Sequence, residues 1–234
     1  MRGNARVQSS PPPSSETILK STVDTPKELR TDNFPQTLSI PGLNNRFELV
    51  AWGVRTVSFL GIKVYNVGLY IPDEQVSVLP SYAQSNIDAN PWAPLIRIYE
   101  CPMVLRIIPV RNTDYAHLRD GFVRSTLTRM KMEGEDEERI RTRDDAVTQF
   151  KALFPRQKMR KGEVLTIVKK GPELRLYAGE NMQDDLGVVR NDDLARGLLS
   201  AYLVGDNVVS PDLQKKLEKR LQEIADAPIK EIAN

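Results

Sequence analysis

Arg55 is the residue whose surroundings first call for chemistry. Residues 47–59 alternate with period two and are rich in Val, Phe and Thr, which marks a strand. One alternate set is Phe47, Leu49, Ala51, Gly53, Arg55, Val57 and Phe59. Arg55 thus falls on an apolar face, where a guanidinium is costly unless something pairs with it. A two-residue turn at Leu60-Gly61 would return the chain as a second strand and set Asn66 opposite Arg55 and Gly68 opposite Gly53. Two glycines beside a fixed cation leave a hole suited to a carboxylate, phenolate or propionate. A β-bulge that turns Arg55 outward, or a buried acid that pairs it, would remove that site.

Three further residues carry reactive groups. Tyr115 begins the apolar face of a helix, with Phe122 seven residues on. A tyrosine there is ordinarily core, with its hydroxyl satisfied. His117 lies about 160° around the helix from Tyr115 and should point away from the sheet. Cys101 is the lone cysteine and reads as a buried thiol. One Cys and one His cannot make a zinc site, and no phosphate-loop, dinucleotide or nucleophile-elbow motif is present. Neither a metal cluster nor a nucleotide is expected.

The elements that must position these groups can be read in order. Strands are expected over 47–59, 62–71, 95–100 and 102–110. Asn112, Thr113 and Asp114 offer cap chemistry for a helix carrying Tyr115, Leu118, Phe122, Val123 and Met130 on one broad face. A second helix follows over 136–154, stopped by Pro155. Strands return at 163–170, 173–178 and 186–190. Asn191 caps a helix that reaches Val204, and Ser210-Pro211 opens a last one with a stripe of Leu213, Leu217, Leu221 and Ile224. Strands in hairpins and helices in blocks mean an α+β fold on an antiparallel sheet.

Residues 1–35 form a Pro/Ser-rich tail with few large apolar side chains, expected to be disordered. The domain is expected over 36–234. Arg2 and Arg6 without an acid before Ser15 resemble a mitochondrial targeting segment or its remnant. Lys+Arg of 33 against Asp+Glu of 31 argues against a nucleic-acid binder that works by bulk charge. No apolar run approaches the roughly 20 residues of a membrane helix. Four basic residues in six, Arg156, Lys158, Arg160 and Lys161, form a solvated loop or touch an anionic membrane.

Three segments resemble the chalcone isomerase family: GVRTVSFLGIKVYNVGLY over 53–70, DYAHLRDGFVR over 114–124, and GDNVVSP over 205–211. They stand in the family's order, and the similarity runs from about Phe34 to the C-terminus. It is strongest to the fungal mitochondrial branch, the altered-inheritance-of-mitochondria group. The resemblance implies an open-faced β-sandwich, a large antiparallel sheet covered by a helical layer. It implies a mitochondrial protein. It also implies that Arg55 and Tyr115 stand where the plant enzymes hold a chalcone phenolate and assist ring closure. Other positions depart: Tyr65 replaces the family's threonine, Phe122 its asparagine, and Tyr202 its small hydroxyl residue. Oxyanion chemistry needs several placed hydrogen bonds acting together, so chalcone cyclisation is not expected here. The implied function is binding of haem in the ancestral cleft, with fatty acid, or an intramolecular lyase activity, as alternatives. The ligand-binding set is then Arg55, Tyr65, Asn66, Tyr115, Phe122 and Tyr202, with His117 a candidate axial ligand and Tyr65, Tyr115 and Tyr202 others.

Overall fold

The alternating segments become one antiparallel sheet in the computed structural model, which describes residues 34–57, 60–76, 101–134 and 137–226 with the single positions 79, 92 and 96. The strands are β1 (Thr37–Ser39), β2 (Arg46–Val57), β3 (Ile62–Pro72), β4 (Met103–Pro109), β5 (Thr113–Asp114), β6 (Lys158–Met159), β7 (Leu165–Lys170), β8 (Glu173–Ala178) and β9 (Asp184–Arg190). Seven run side by side in the order β1-β2-β3-β4-β7-β8-β9, and β5 pairs with β6 apart from them. After the short helix α1 (Asp73–Val76), the helices are α2 (Tyr115–Glu133), α3 (Glu137–Ala152), α4 (Asp192–Leu203) and α5 (Pro211–Asp226). This is the expected α+β fold, a large antiparallel sheet with a helical layer. The strand expected over 95–100 is not borne out at its one described residue, Ile96, which is helical. The expected tail lies outside the described residues up to position 33.

Two cores lie on the two faces of the sheet. The larger one joins Tyr65, Val67, Leu69 and Ile71 of β3 to the buried faces of α2, α4 and α5. The last two helices begin as their caps dictate: Asn191 Oδ1 accepts from the Leu194 amide at 2.8 Å, and Ser210 Oγ accepts from the Leu213 amide at 3.2 Å. The smaller core joins Phe47, Leu49, Tyr70, Val104 and Ile108 to a strap formed by residues 34–43. Phe34 stacks on Trp52 with ring centroids 5.8 Å apart, and the Tyr70 hydroxyl donates to the Pro35 carbonyl at 3.0 Å. The folded unit therefore includes Phe34 and Pro35, which the sequence assigns to the tail.

Beneath the strap runs a polar row. Trp52, Gly68, Arg106, Thr166 and Tyr177 are successive register partners across β2, β3, β4, β7 and β8. Arg106 is only 2% exposed and donates from Nη1 to the Glu180 carbonyl at 3.0 Å. The absent side chain at Gly68 is what admits Phe34, since a Cβ there would come within 2.7 Å of the Phe34 ring.

The register of β2 corrects two expectations. Leu49 pairs with Tyr70 but Ala51 pairs with Leu69, so Val50 is an extra residue in a bulge. Phe47 and Leu49 therefore face the strap, while Ala51, Gly53 and Arg55 fall on the helix-facing side. Arg55 does not share a face with Phe47 and Leu49, because a bulge reverses strict alternation. A second irregularity between Arg55 and Thr56 combines with a connection longer than two residues, since Val57 pairs with Ile62. Arg55 is consequently opposite Tyr65, not Asn66, and Gly53 is opposite Val67, not Gly68.

Candidate functional site

Arg55 stands on the helix-facing side of β2, half-buried. Its Nη1 donates to the Val209 carbonyl at 2.9 Å. Its guanidinium carbon lies 6.0 Å from the centre of the Tyr65 ring on β3. Arg55 has no ion-pair partner among the described residues. A cation held against an aromatic wall with a neutral oxygen as its bonded partner keeps most of its charge for something else.

The segment carrying Val209 is pinned to β2 from both sides. Val54 N donates to Asp212 Oδ2 at 2.9 Å, and Ser210 Oγ donates to the Val54 carbonyl at 3.0 Å. Val209 N donates to the Ala201 carbonyl of α4 at 2.8 Å. Gly53 permits this approach: its missing Cβ would fall 2.2 Å from the Leu213 backbone nitrogen.

Behind Arg55 the wall is phenolic. The Tyr65 and Tyr202 hydroxyls lie 2.5 Å apart, joining β3 to α4 through one hydrogen bond. Phe122 of α2 packs on Tyr65 with ring centroids 6.2 Å apart, and Phe154 continues the stack 6.1 Å beyond. Burial pushes the Tyr65 phenol up from 10.0 to about 12, while Arg55 and the Tyr202 hydrogen bond pull it down. Burial also holds Tyr202 well above the ordinary tyrosine value. The pair is thus a protonated one at any physiological pH.

That has a measurable consequence. A phenol whose folded value is raised stabilises the fold fully below pH 10.0 and loses that contribution as pH rises through about 12. Urea unfolding at stepped pH should show stability falling across that window. Tyr65→Phe should flatten the fall; an unchanged slope in the variant would count against the assignment.

The structure gathers Arg55, Tyr65, Phe122 and Tyr202. It does not gather the other expected residues with them. Asn66 pairs with Val54 and Ile108, and it alternates with Tyr65 and Val67, so it belongs to the strap-side face. Tyr115 is buried but lines a different cleft of about 510 Å³, with Arg160, Glu163, Glu180 and Asp184 among its walls. Burial raises its phenol, with Glu163 and Asp184 adding to the effect. His117 has a side chain 79% exposed, with Nδ1 at 3.4 Å from the Asp114 carboxylate. This agrees with the helix geometry read from its position. Cys101 is a buried thiol pushed up to about 11 by burial. Sequence reasoning missed the Val209 carbonyl and Phe154. Neither carries a local signal, because a main-chain oxygen and a helix-end phenylalanine enter the site only through tertiary packing.

A family model described as "Chalcone isomerase like" matches residues 45–97 and 88–217. The chain belongs to the chalcone isomerase-like family. Within it, 198 residues are 30% identical to "Altered inheritance of mitochondria protein 18, mitochondrial" of Debaryomyces hansenii, covering 74% of this chain and 65% of that one. The protein of the same name from Kluyveromyces lactis is 25% identical, with 90% and 73% covered. These names agree with the mitochondrial branch that the sequence motifs resemble. The crystal structure of an Arabidopsis thaliana fatty-acid binding protein superposes with a TM-score of 0.63 at 19% identity, covering 82% of this chain and 94% of that one. That likeness confirms the family's fold: the large antiparallel sheet and its helical layer.

Proposed function

We propose that this chain is a non-catalytic mitochondrial binding protein that holds an amphipathic carboxylate at Arg55. One observation carries the reading: Arg55 is a half-buried cation facing an aromatic wall, and its hydrogen bond goes to a neutral carbonyl rather than to an acid. A bound carboxylate would take that guanidinium in a charge-assisted pair. Its apolar body would rest against Tyr65 and Phe122. A long-chain fatty acid suits this chemistry, and the fold neighbour is named as a fatty-acid binding protein. Catalysis is disfavoured because the two buried phenols are engaged with each other and hold their protons.

Haem is the second reading, since its propionates present the same charge to Arg55. The axial position fits poorly. His117 is on the surface, and the Tyr65 and Tyr202 hydroxyls are buried and bonded to each other, so either would have to leave its partner to meet iron. The residues present fit a propionate better than they fit iron.

The test is paired titration of the purified protein with palmitate and with haem, the second read by Soret absorbance. Arg55→Met should weaken whichever acid binds by about 10- to 100-fold, the worth of a hydrogen-bonded charge. Hexadecanol, which lacks the carboxylate, should be insensitive to the substitution. Equal palmitate and haem affinity in wild type and variant would sink the proposal.

A further inference from the structure

The β2–β3 hairpin carries two of the four large apolar side chains exposed among the described residues. Val57 is 38% exposed and Leu60 is 69% exposed. Ser58 and Phe59 lie outside the described residues, and nothing here depends on them. An apolar tip alone is ordinary. What surrounds this one is less so.

The same end of the sheet collects cations. Because neighbours are antiparallel, β2 ends there, β3 begins, β4 ends and β7 begins. Arg111 Nη2 donates to the Lys63 carbonyl at 2.6 Å, and Val110 N donates to the Val64 carbonyl at 3.1 Å. Gly162 N donates to the Pro109 carbonyl at 3.0 Å, and Lys161 N to Asn112 Oδ1 at 3.0 Å. These bonds clamp the hairpin, the turn after β4 and the loop before β7 into one block. Lys63, Arg111, Lys158, Arg160 and Lys161 are all exposed on it. Three acids, Glu163, Glu180 and Asp184, share a cleft with Arg160 and Lys161. Glu163 Oε2 accepts from the Arg160 amide at 2.9 Å, and Asp114 faces His117. Lys63, Arg111 and Lys158 are not among the walls of that cleft, and Asp185 pairs with Arg175.

We infer that this end of the sheet docks on an anionic lipid bilayer, with Leu60 and Val57 in the interface and the cations on the headgroups. An apolar tip flanked by lysine and arginine gains from both burial and surface potential, and neither term alone would hold a protein. The basic run at 156–161 thereby acquires a role beyond solvation. The docking needs no ligand, so its failure would leave the carboxylate reading intact.

The experiment is cosedimentation of the full chain with phosphatidylcholine vesicles containing about 20 mol% cardiolipin, against phosphatidylcholine alone. Binding should require the anionic lipid and weaken with salt. Lys63→Gln with Lys161→Gln should lower the partition coefficient by about 25-fold, roughly fivefold per cation removed. Leu60→Ser should lower it by about tenfold. All these side chains are at the surface, and near-UV circular dichroism checks that the variants fold. Absence of binding to the anionic vesicles would overturn the inference. So would wild-type binding by the variants, which would place the contact elsewhere on the chain.

Discussion

Gly53→Ala should cost this protein about 4 kcal/mol or more, beyond the range of an ordinary point substitution. The added Cβ would fall 2.2 Å from the Leu213 nitrogen and 2.5 Å from its Cα. Those are backbone atoms at the start of α5, so no rotamer change relieves the clash. α5 would have to lift from β2. The displacement would strain the Val54–Asp212 and Ser210–Val54 hydrogen bonds and withdraw the Val209 carbonyl from Arg55. Urea or thermal unfolding is the measurement, with Gly121→Ala as its control. Gly121 is inside α2 with nothing within 4 Å of its would-be Cβ. That second substitution should stabilise by up to about 1 kcal/mol through helix propensity. If both glycines responded alike, close contact between α5 and β2 would be the wrong account.

Phe122→Ala should cost about 3–5 kcal/mol, the usual loss for a buried phenylalanine. Phe122 is almost wholly buried and sits between Tyr65 and Phe154 in a run that continues to Phe150, whose ring centroid is 5.1 Å from that of Phe154. Deleting it would open a void behind the phenol pair, where neighbouring elements are held by their own hydrogen bonds and cannot collapse freely. Phe122→Leu keeps most of the volume and should cost under about 1.5 kcal/mol. The contrast between the two variants in urea unfolding separates packing from aromaticity. Equal losses would mean that ring contacts, not volume, hold this wall.

Much of the fold was legible because its signals are local. Period-two alternation announced β2 and β3, and cap residues marked where α4 and α5 begin. Asn191 and Ser210 make the bonds their types predict. The strand expected around Ile96 failed because a short apolar run does not distinguish a strand from a buried helical turn. At the site, the oddity of Arg55 was legible in the strand pattern, whereas Tyr65, Phe122 and Tyr202 were named only through the family resemblance and the Val209 carbonyl not at all. Counting back from a two-residue turn assumes perfect alternation, but the connection is longer than two residues and Val64 is an extra residue in β3, which together set Tyr65 rather than Asn66 opposite Arg55. The bond between Tyr65 and Tyr202 spans 137 residues of chain and has no local signature. Tyr115 shares a helix face with Phe122 but lines a cleft whose walls include none of Arg55, Tyr65 and Tyr202.

Val50 is the place where β2 can change length by one residue without disturbing its ladder. Leu49 pairs with Tyr70 and Ala51 with Leu69, consecutive residues of β3. Deletion of that single codon would therefore close the bulge and leave Ala51, Gly53 and Arg55 on the side opposite to Phe47 and Leu49. A one-residue deletion between Ala51 and Arg55 would instead turn Arg55 to the other face relative to Ala51. The strand tolerates a change of length at the bulge and not beyond it.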